Sequence, residues 1–297
     1  MRLRQIEVFH AVYSTGSMTS AAAMLNVSQP SVSKVLAHAE QQLGYLLFDR
    51  VKGKLVATPE AHRLFAHVSA VYRDVDRLRH VAENLKKGDS GRIRVACTPA
   101  FGLEVLPNAI KSFRDKHSDT VFEIETLHVD QMAEALLESR IDVGIAFDGG
   151  QIPGIVSETL ATSRFVALAP PGFDFGVDRA LQARDLCGHP FIGLNGRGPL
   201  GRALSQYLEP VEPELDIVIW SETYHVVKTL VARGAGVTVI DEVTAKSGDT
   251  SSVQILPLSP SLQFDIKVLS LAAAPLSLAA QRFVAHLGTT MKEFLGD

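Results

Sequence analysis

The loop Gly196-Arg197-Gly198-Pro199-Leu200-Gly201 has the G-x-G-x-x-G spacing with which a strand-to-helix turn holds a dinucleotide pyrophosphate. It follows the apolar run "PFIGL" and precedes helical sequence, so the chemistry to weigh first is that of a nicotinamide-dependent oxidoreductase. Such a site needs an acid about 20 residues further on, at the end of the next strand, to hold the ribose. Asp216 has the distance but precedes its strand, "IVIW", which puts its carboxylate at the wrong end of the sheet. Two milder readings of the loop stay open. Backbone N–H groups at a helix start, with Arg197 beside them, hold a carboxylate, or the loop is a turn that holds nothing. No other catalytic grouping is present: the chain has no G-x-S-x-G elbow and no H-E-x-x-H. Its ten histidines are scattered, and His62 and His67, five apart, do not share a helix face well. Cys97 and Cys187 lack metal-ligand spacing and read as two reduced, buried thiols, with a redox-sensing pair as the alternative. No metal and no cofactor are expected.

A second group of residues suits recognition rather than catalysis. Ser28, Gln29, Ser31 and Ser33 crowd the start of "SQPSVSKVLAHAEQQLG", in which Val32, Val35, Leu36 and Ala39 form a buried helical stripe and Lys34 is the one Lys or Arg. Hydroxyls and amides on the leading end of a helix suit base edges, and the amide of Gln29 can pair both ways with adenine. Ser28 is expected to cap this helix, with Pro30 in its first turn. Upstream, Leu3, Ile6, Phe9, His10 and Tyr13 mark a helix that stops at Gly16. Ser17 or Thr19 caps a second, and Asn26 suits the left-handed turn that follows. Two short helices joined by a turn of three or four residues make a helix-turn-helix. After Gly44, "LLFDRVKGKLVAT" predicts a hairpin with Gly53 at its tip, a wing that lays Arg50, Lys52 and Lys54 along phosphates. Lys34 and the caps Ser17 or Thr19 are the other expected backbone contacts.

These groups need elements to carry them. Thr58-Pro59-Glu60 opens a long helix in which Ala61, Leu64, Val68, Val71, Val75, Leu78, Ala82 and Leu85 recur every three or four residues. A seam of period 3.5 predicts a dimerising coiled coil; a surface helix packed on its own domain is the alternative. Gly88-Asp89-Ser90-Gly91 breaks the helix and is placed as a hinge. Strands then alternate with helices: "RIRVACT", "VFEIETL", "IDVGIAF", "RFVALAP", "PFIGL", "DIVIW", "GVTVI" and "FDIKVLSLA". That order predicts a parallel-sheet α/β unit, and the Pro/Gly-rich "APPGFDFG" suggests two lobes. Charge follows the same division. Residues 1–91 carry 12 Lys+Arg against 8 Asp+Glu, whereas the remainder carries 17 against 25, so the net −4 conceals a basic N-terminal part suited to a polyanion. Glu7 and His10 interrupt what would be a signal-peptide core, and the uncharged run Val268 to Gln281 contains Pro275 and is too short to span a bilayer. A cytoplasmic protein with no membrane partner is expected.

Taken together, the chain resembles the LysR-type transcriptional regulators over essentially its whole length. The resemblance is carried by Ala21-Ala22, Ser28-Gln29-Pro30, Val32, Ser33, Leu43-Gly44, Leu47-Phe48, Arg50 and Thr58-Pro59, and more loosely by "LLESRIDVGIAF", with Asp142 and Gly144, and "TLVARGAGVTVI". It implies an α+β protein made of a winged helix-turn-helix (1–58), a linker helix that dimerises (59–87), a hinge (88–91) and an effector domain (92–297). That domain would have two lobes, about 92–163 with 268–297 and about 164–267, similar to type 2 periplasmic binding proteins. It also implies double-stranded DNA with a two-fold symmetric operator, a small-molecule effector, the chain itself as dimer or dimer of dimers, and RNA polymerase as partners. Lys34 stands where many relatives have arginine, which favours a point-charge contact to phosphate over a bidentate contact to guanine.

The effector site is expected between the lobes, at strand ends and helix starts. Guided by the resemblance, the candidates are Thr98 and Ala100, Phe147, Asn195 and Arg197, Thr223, and Asp241. Their chemistry suits a small carboxylate or amino-acid-like metabolite, with an amine facing Asp241. A solute-binding protein without DNA activity would share the α/β part but not the wing.

Overall fold

The computed structural model describes residues 1–51, 54–87, 91–148, 150–195 and 198–296, without the side chains of residues 73, 76, 77, 79–81, 83–87 and 199. Lys52, the Gly53 tip, the hinge residues 88–90, Arg197 and the side chain of Leu85 therefore lie outside the described residues. The chain divides into two compact units, Met1–Ala82 and Glu83–Asp297.

In the first unit, α1 (Leu3–Thr15) ends on Gly16, whose φ of 64° only glycine adopts without cost. The second helix, α2 (Met18–Met24), is capped by Ser17, whose Oγ accepts from the Ser20 N–H at 3.3 Å. A four-residue turn follows, with Asn26 at φ 52°, and leads into α3 (Gln29–Leu43). Ser28 occupies the cap position of α3 but its side chain makes no cap hydrogen bond, so the expected cap is one of position only. Strands β1 (Phe48–Val51) and β2 (Lys54–Ala57) form the antiparallel wing. Thr58 Oγ1 accepts from the Ala61 N–H at 3.2 Å and starts α4 (Pro59–Lys87). Val8, Phe9, Val12, Val32, Leu36 and Leu47 form the core of this unit.

The structure splits the predicted seam of α4. Ala61 and Val68 are buried in the unit's own core, whereas Val71 is 42% and Leu78 69% exposed and Ala82 is also exposed. The period of 3.5 arises from two adjacent faces, one used within the unit and one left open.

The second unit runs β3 (Arg92–Cys97), α5 (Pro99–Gly102), α6 (Val105–Lys116), β4 (Val121–Thr126), α7 (Val129–Leu137) and β5 (Val143–Phe147). It continues with β6 (Ile155–Ala169), β7 (Pro190–Leu194), α8 (Gly198–Leu208), β8 (Asp216–Ser221), α9 (Tyr224–Ala232), β9 (Thr238–Asp241) and α10 (Glu242–Lys246). Finally come β10 (Gln254–Pro257), β11 (Gln263–Leu271) and α11 (Leu278–Leu295). The expected parallel sheet is in fact mixed. Strands β3–β4, β3–β5 and β7–β8 are parallel, but β11 runs antiparallel to both β5 and β6, and β9 and β10 antiparallel to β6. The 15-residue β6 makes the two lobes possible: Ile155–Arg164 pairs with β11, and Phe165–Ala169 with β9 and β10. One strand thus changes partners along its length and joins the lobes, with a single register shift against β11 between Ile266 and Lys267. Leu103 lies between α5 and α6 and is exposed. Among the described residues no helix is long and apolar enough to cross a membrane.

Candidate functional site

The polar residues proposed to read DNA lie on the solvent side of the first unit. Gln29, Ser31, Ser33 and Lys34 are exposed on α3, opposite or flanking the buried Val32, Leu36 and Ala39. Pro30, Ser33, Lys34 and Ala37 follow one another at helical spacing on the outward face, and all are exposed. Pro30 and Ala37 were not among the sequence candidates. Their apolar groups suit a thymine methyl, and the signal for them was their spacing from Lys34 rather than their chemistry. Ser17 is half-buried and bound in its cap; Thr19 is exposed. On the wing, Arg50 faces Leu55 and Val51 faces Lys54, so period-two alternation puts Arg50 and Lys54 on opposite faces of the ribbon, both exposed. They straddle the hairpin rather than forming one row.

A half-buried carboxylate and a buried amide hold this surface in shape. Glu40 Oε1 accepts from the Leu47 and Phe48 N–H groups at 2.8 and 3.2 Å, which ties α3 to the root of the wing. Gln5, 4% exposed, donates from Nε2 to Gln42 Oε1 at 2.9 Å and lies 3.0 Å from His38 Nδ1, which ties α1 to α3.

In the second unit the carboxyl ends of six strands open on one cleft of about 440 Å³. Thr98 and Ala100 follow β3, His128 follows β4, Phe147 ends β5, Asn195 follows β7, Thr223 follows β8 and Asp241 ends β9. Six of the seven sequence candidates are therefore brought together, and the seventh, Arg197, lies outside the described residues. His128, Asp130, Glu222, Tyr224, His225 and Thr244 also line the cleft and were missed. Most of them follow a strand end or sit in the first turn of the helix after it, and applying that positional rule to every strand would have found them.

The cleft contains polar atoms with nothing to bond. Asp241 is fully buried; its Oδ1 accepts from the Thr244 N–H at 2.7 Å and caps α10, while Oδ2 has no partner. Burial pushes its carboxyl up to about 6. Burial first, and the Asp241 carboxylate second, also push the neighbouring Tyr224 phenol well above its ordinary range, so it stays a neutral donor. Thr98 Oγ1 is likewise buried and without a partner, although Thr98 occupies the cap position of α5. Thr223 occupies the cap position of α9 and makes no side-chain cap bond. The first turns of α7, α8 and α9 all contribute to the lining, and the positive ends of their helix dipoles favour an anion there. The cleft thus offers anion-favouring helix starts and a Thr98 hydroxyl, and apart from them one buried carboxylate suited to an amine.

The remaining sequence features are structural. Asp142 forms a two-point ion pair with Arg94, Oδ1 to Nη2 at 2.7 Å, and its Oδ2 accepts the Arg94 N–H at 2.9 Å. Gly144 leaves room for Met132, whose sulfur would lie 2.4 Å from an added Cβ. Cys97 is buried, which pushes its thiol up to about 11, whereas Cys187 is half-buried rather than buried as expected, and desolvation with the nearby Glu214 carboxylate raises its thiol as well. Asp216 opens β8 opposite Pro190, whereas the glycine loop follows the far end of β7, so the acid cannot serve a dinucleotide there.

Comparison with known proteins agrees with both halves of the molecule. The family model "Bacterial regulatory helix-turn-helix protein, lysR family" matches residues 3–62, and "LysR substrate binding domain" matches residues 86–292. The HTH-type transcriptional regulator DgcR of Pseudoalteromonas sp is 40% identical over 97% of this chain and 99% of its own. The transcriptional activator protein LysR of Escherichia coli (strain K12) is 29% identical over 97% of this chain and 92% of its own. Full-length CbnR, solved in complex with its target DNA, has the same fold, with a TM-score of 0.69 and 20% identity over 98% of this chain and 100% of that one. These relatives are transcriptional regulators and not enzymes, and the chain belongs to the LysR family, a DNA-binding transcriptional regulator with an effector-binding domain.

Proposed function

We propose that the chain is a sequence-specific cytoplasmic regulator that binds a two-fold symmetric operator as a dimer or dimer of dimers, works with RNA polymerase, and answers to an amino-acid-like carboxylate. The exposed Val71, Leu78 and Ala82 of α4 supply the dimer seam. In this reading residues 1–58 read DNA, 59–87 link, 88–91 are the boundary between linker and sensor, and 92–297 sense, with the lobes divided where β6 changes partners. Gln29, Ser28, Ser31 and Ser33 contact bases; Ser17, Thr19, Lys34, Arg50, Lys52 and Lys54 contact phosphate. Thr98, Ala100, Phe147, Asn195, Arg197, Thr223 and Asp241 hold the effector, its carboxylate at the helix starts and Thr98, its amine at Asp241.

The observation that carries the effector class is the unpartnered Oδ2 of the fully buried Asp241. A buried carboxylate oxygen without a hydrogen-bond donor is costly, and a ligand ammonium removes that cost. The test is a thermal-shift screen of the full chain against amino acids, simple carboxylates and NAD(H). At a hundredfold excess over Kd a bound ligand adds about 2.7 kcal/mol to the native state. Stabilisation by an amino acid, lost in Asp241→Asn, is the expected result; stabilisation by NAD(H) alone, or by a carboxylate equally well in Asp241→Asn, would sink the assignment.

A further inference from the structure

Four aromatic rings are stacked alternately from α1 and α4. Tyr13 lies on Phe65 with centroids 3.8 Å apart and 15° between planes, Phe65 is stacked with His10 at 5.4 Å and 19°, and His10 lies on Tyr72 at 4.3 Å and 5°. At one end the Tyr13 hydroxyl bonds His62 Nδ1 at 2.5 Å. Phe9, fully buried, packs on Tyr13 and Phe65 at 6.0 and 6.3 Å and reaches Phe48 of the wing at 5.9 Å, so the stack is continuous with the DNA-reading body.

We propose that this interleaved stack sets the direction in which the open seam of α4 faces relative to α3, and so fixes the separation of the two half-sites that a dimer reads. The proposal rests on the dimer reading of α4 given above. Phe65 and Tyr72, seven residues apart, share the face turned to α1, while Val71 and Leu78, also seven apart, share the neighbouring open face. Ala61 and Val68 also anchor α4, but burial of small apolar groups has no directional preference. Interleaved rings have fixed spacing and tilt, so α4 can neither slide nor turn about its axis without separating them. The distance gives leverage. Leu78 is 13 residues beyond Phe65, which is roughly 20 Å along the helix, so a tilt of about 10° at the rings moves the seam by about 3.5 Å, close to one base-pair rise. The four rings are positioning residues for DNA recognition, and none of them is placed against DNA.

The test uses the full chain and an operator selected from random duplexes, together with duplexes in which the half-sites are moved apart by about one or two base pairs. Wild type should lose about tenfold or more in affinity per inserted base pair, and Phe65→Leu or Tyr72→Leu about threefold or less, with affinity for a single half-site and salt dependence unchanged. Phe65→Tyr keeps the ring and should restore the discrimination of wild type. Tyr72→Leu, at the outer end of the stack, gives the same reading where Phe65→Leu fails to fold. Variants that discriminate as wild type does, or that weaken all duplexes alike, overturn the proposal. A wild type that light scattering shows to be monomeric overturns the dimer reading and this proposal with it, whereas a dimeric wild type with unaltered variants overturns the ring stack alone.

Discussion

Asp241 has two jobs that pull its carboxylate in opposite directions. Oδ1 caps α10 and works in either protonation state, whereas Oδ2 is a buried acceptor with no donor, and burial holds the group at about 6 against an ordinary 3.8. Between those values the folded chain holds a proton that the unfolded chain has already released, so stability falls as pH rises from about 4 through 6. The loss is bounded at about 3 kcal/mol, from a shift of roughly two pH units. Asp241→Asn keeps the cap and removes the charge. It should raise the Tm at pH 7.5, leave it nearly unaltered at pH 4, and abolish effector binding; thermal unfolding at both pH values reads the first two. A lower Tm at pH 7.5 would mean that Oδ2 is already satisfied in the free protein.

At the scale of elements, the proposed function divides the work of binding between α3 and the wing. Gln29 is exposed at the start of α3, and Gln29→Ala should cost about 1–3 kcal/mol at one base pair per half-site with the salt slope nearly unaltered. Lys54→Ala on the wing should weaken all sequences alike and reduce the salt slope by about one. Fluorescence anisotropy over a salt series separates the two, and a Gln29 variant with a reduced slope would assign that residue to phosphate. These elements were legible because their signals are local: Gly16, Asn26 and Thr58-Pro59 each fix a boundary by their own backbone preference. The division of labour within α4 was not legible. A period of 3.5 records that apolar residues recur, and it does not say that Ala61 and Val68 belong to the unit's own core while Val71 and Leu78 remain open. The ring stack was hidden for the same reason, since His10 and Tyr13 meet Phe65 and Tyr72 only once two helices pack.

For the whole molecule, most of the strand ends that form the cleft could be read from sequence because a short apolar run precedes them, whereas the end of β4, in the alternating VFEIET, was not read as part of the cleft. The directions of β9, β10 and β11 could not, since strand direction depends on which neighbour the chain returns to, and nothing within "FDIKVLSLA" encodes that. The antiparallel return is what lets β6 serve both lobes and leaves the cleft between them open to a ligand. Thr223 tests that cleft with little structural cost, because its side chain makes no cap bond at α9. The most direct measurement is the electrophoretic mobility of an operator complex with and without the amino acid that stabilises the chain, for wild type and Thr223→Ala. The ligand should alter operator affinity or complex mobility in wild type and do neither in Thr223→Ala, which should bind DNA as wild type does in its absence. A Thr223→Ala chain that answers to the ligand as fully as wild type would contradict the cleft as the place where effector and DNA binding are joined.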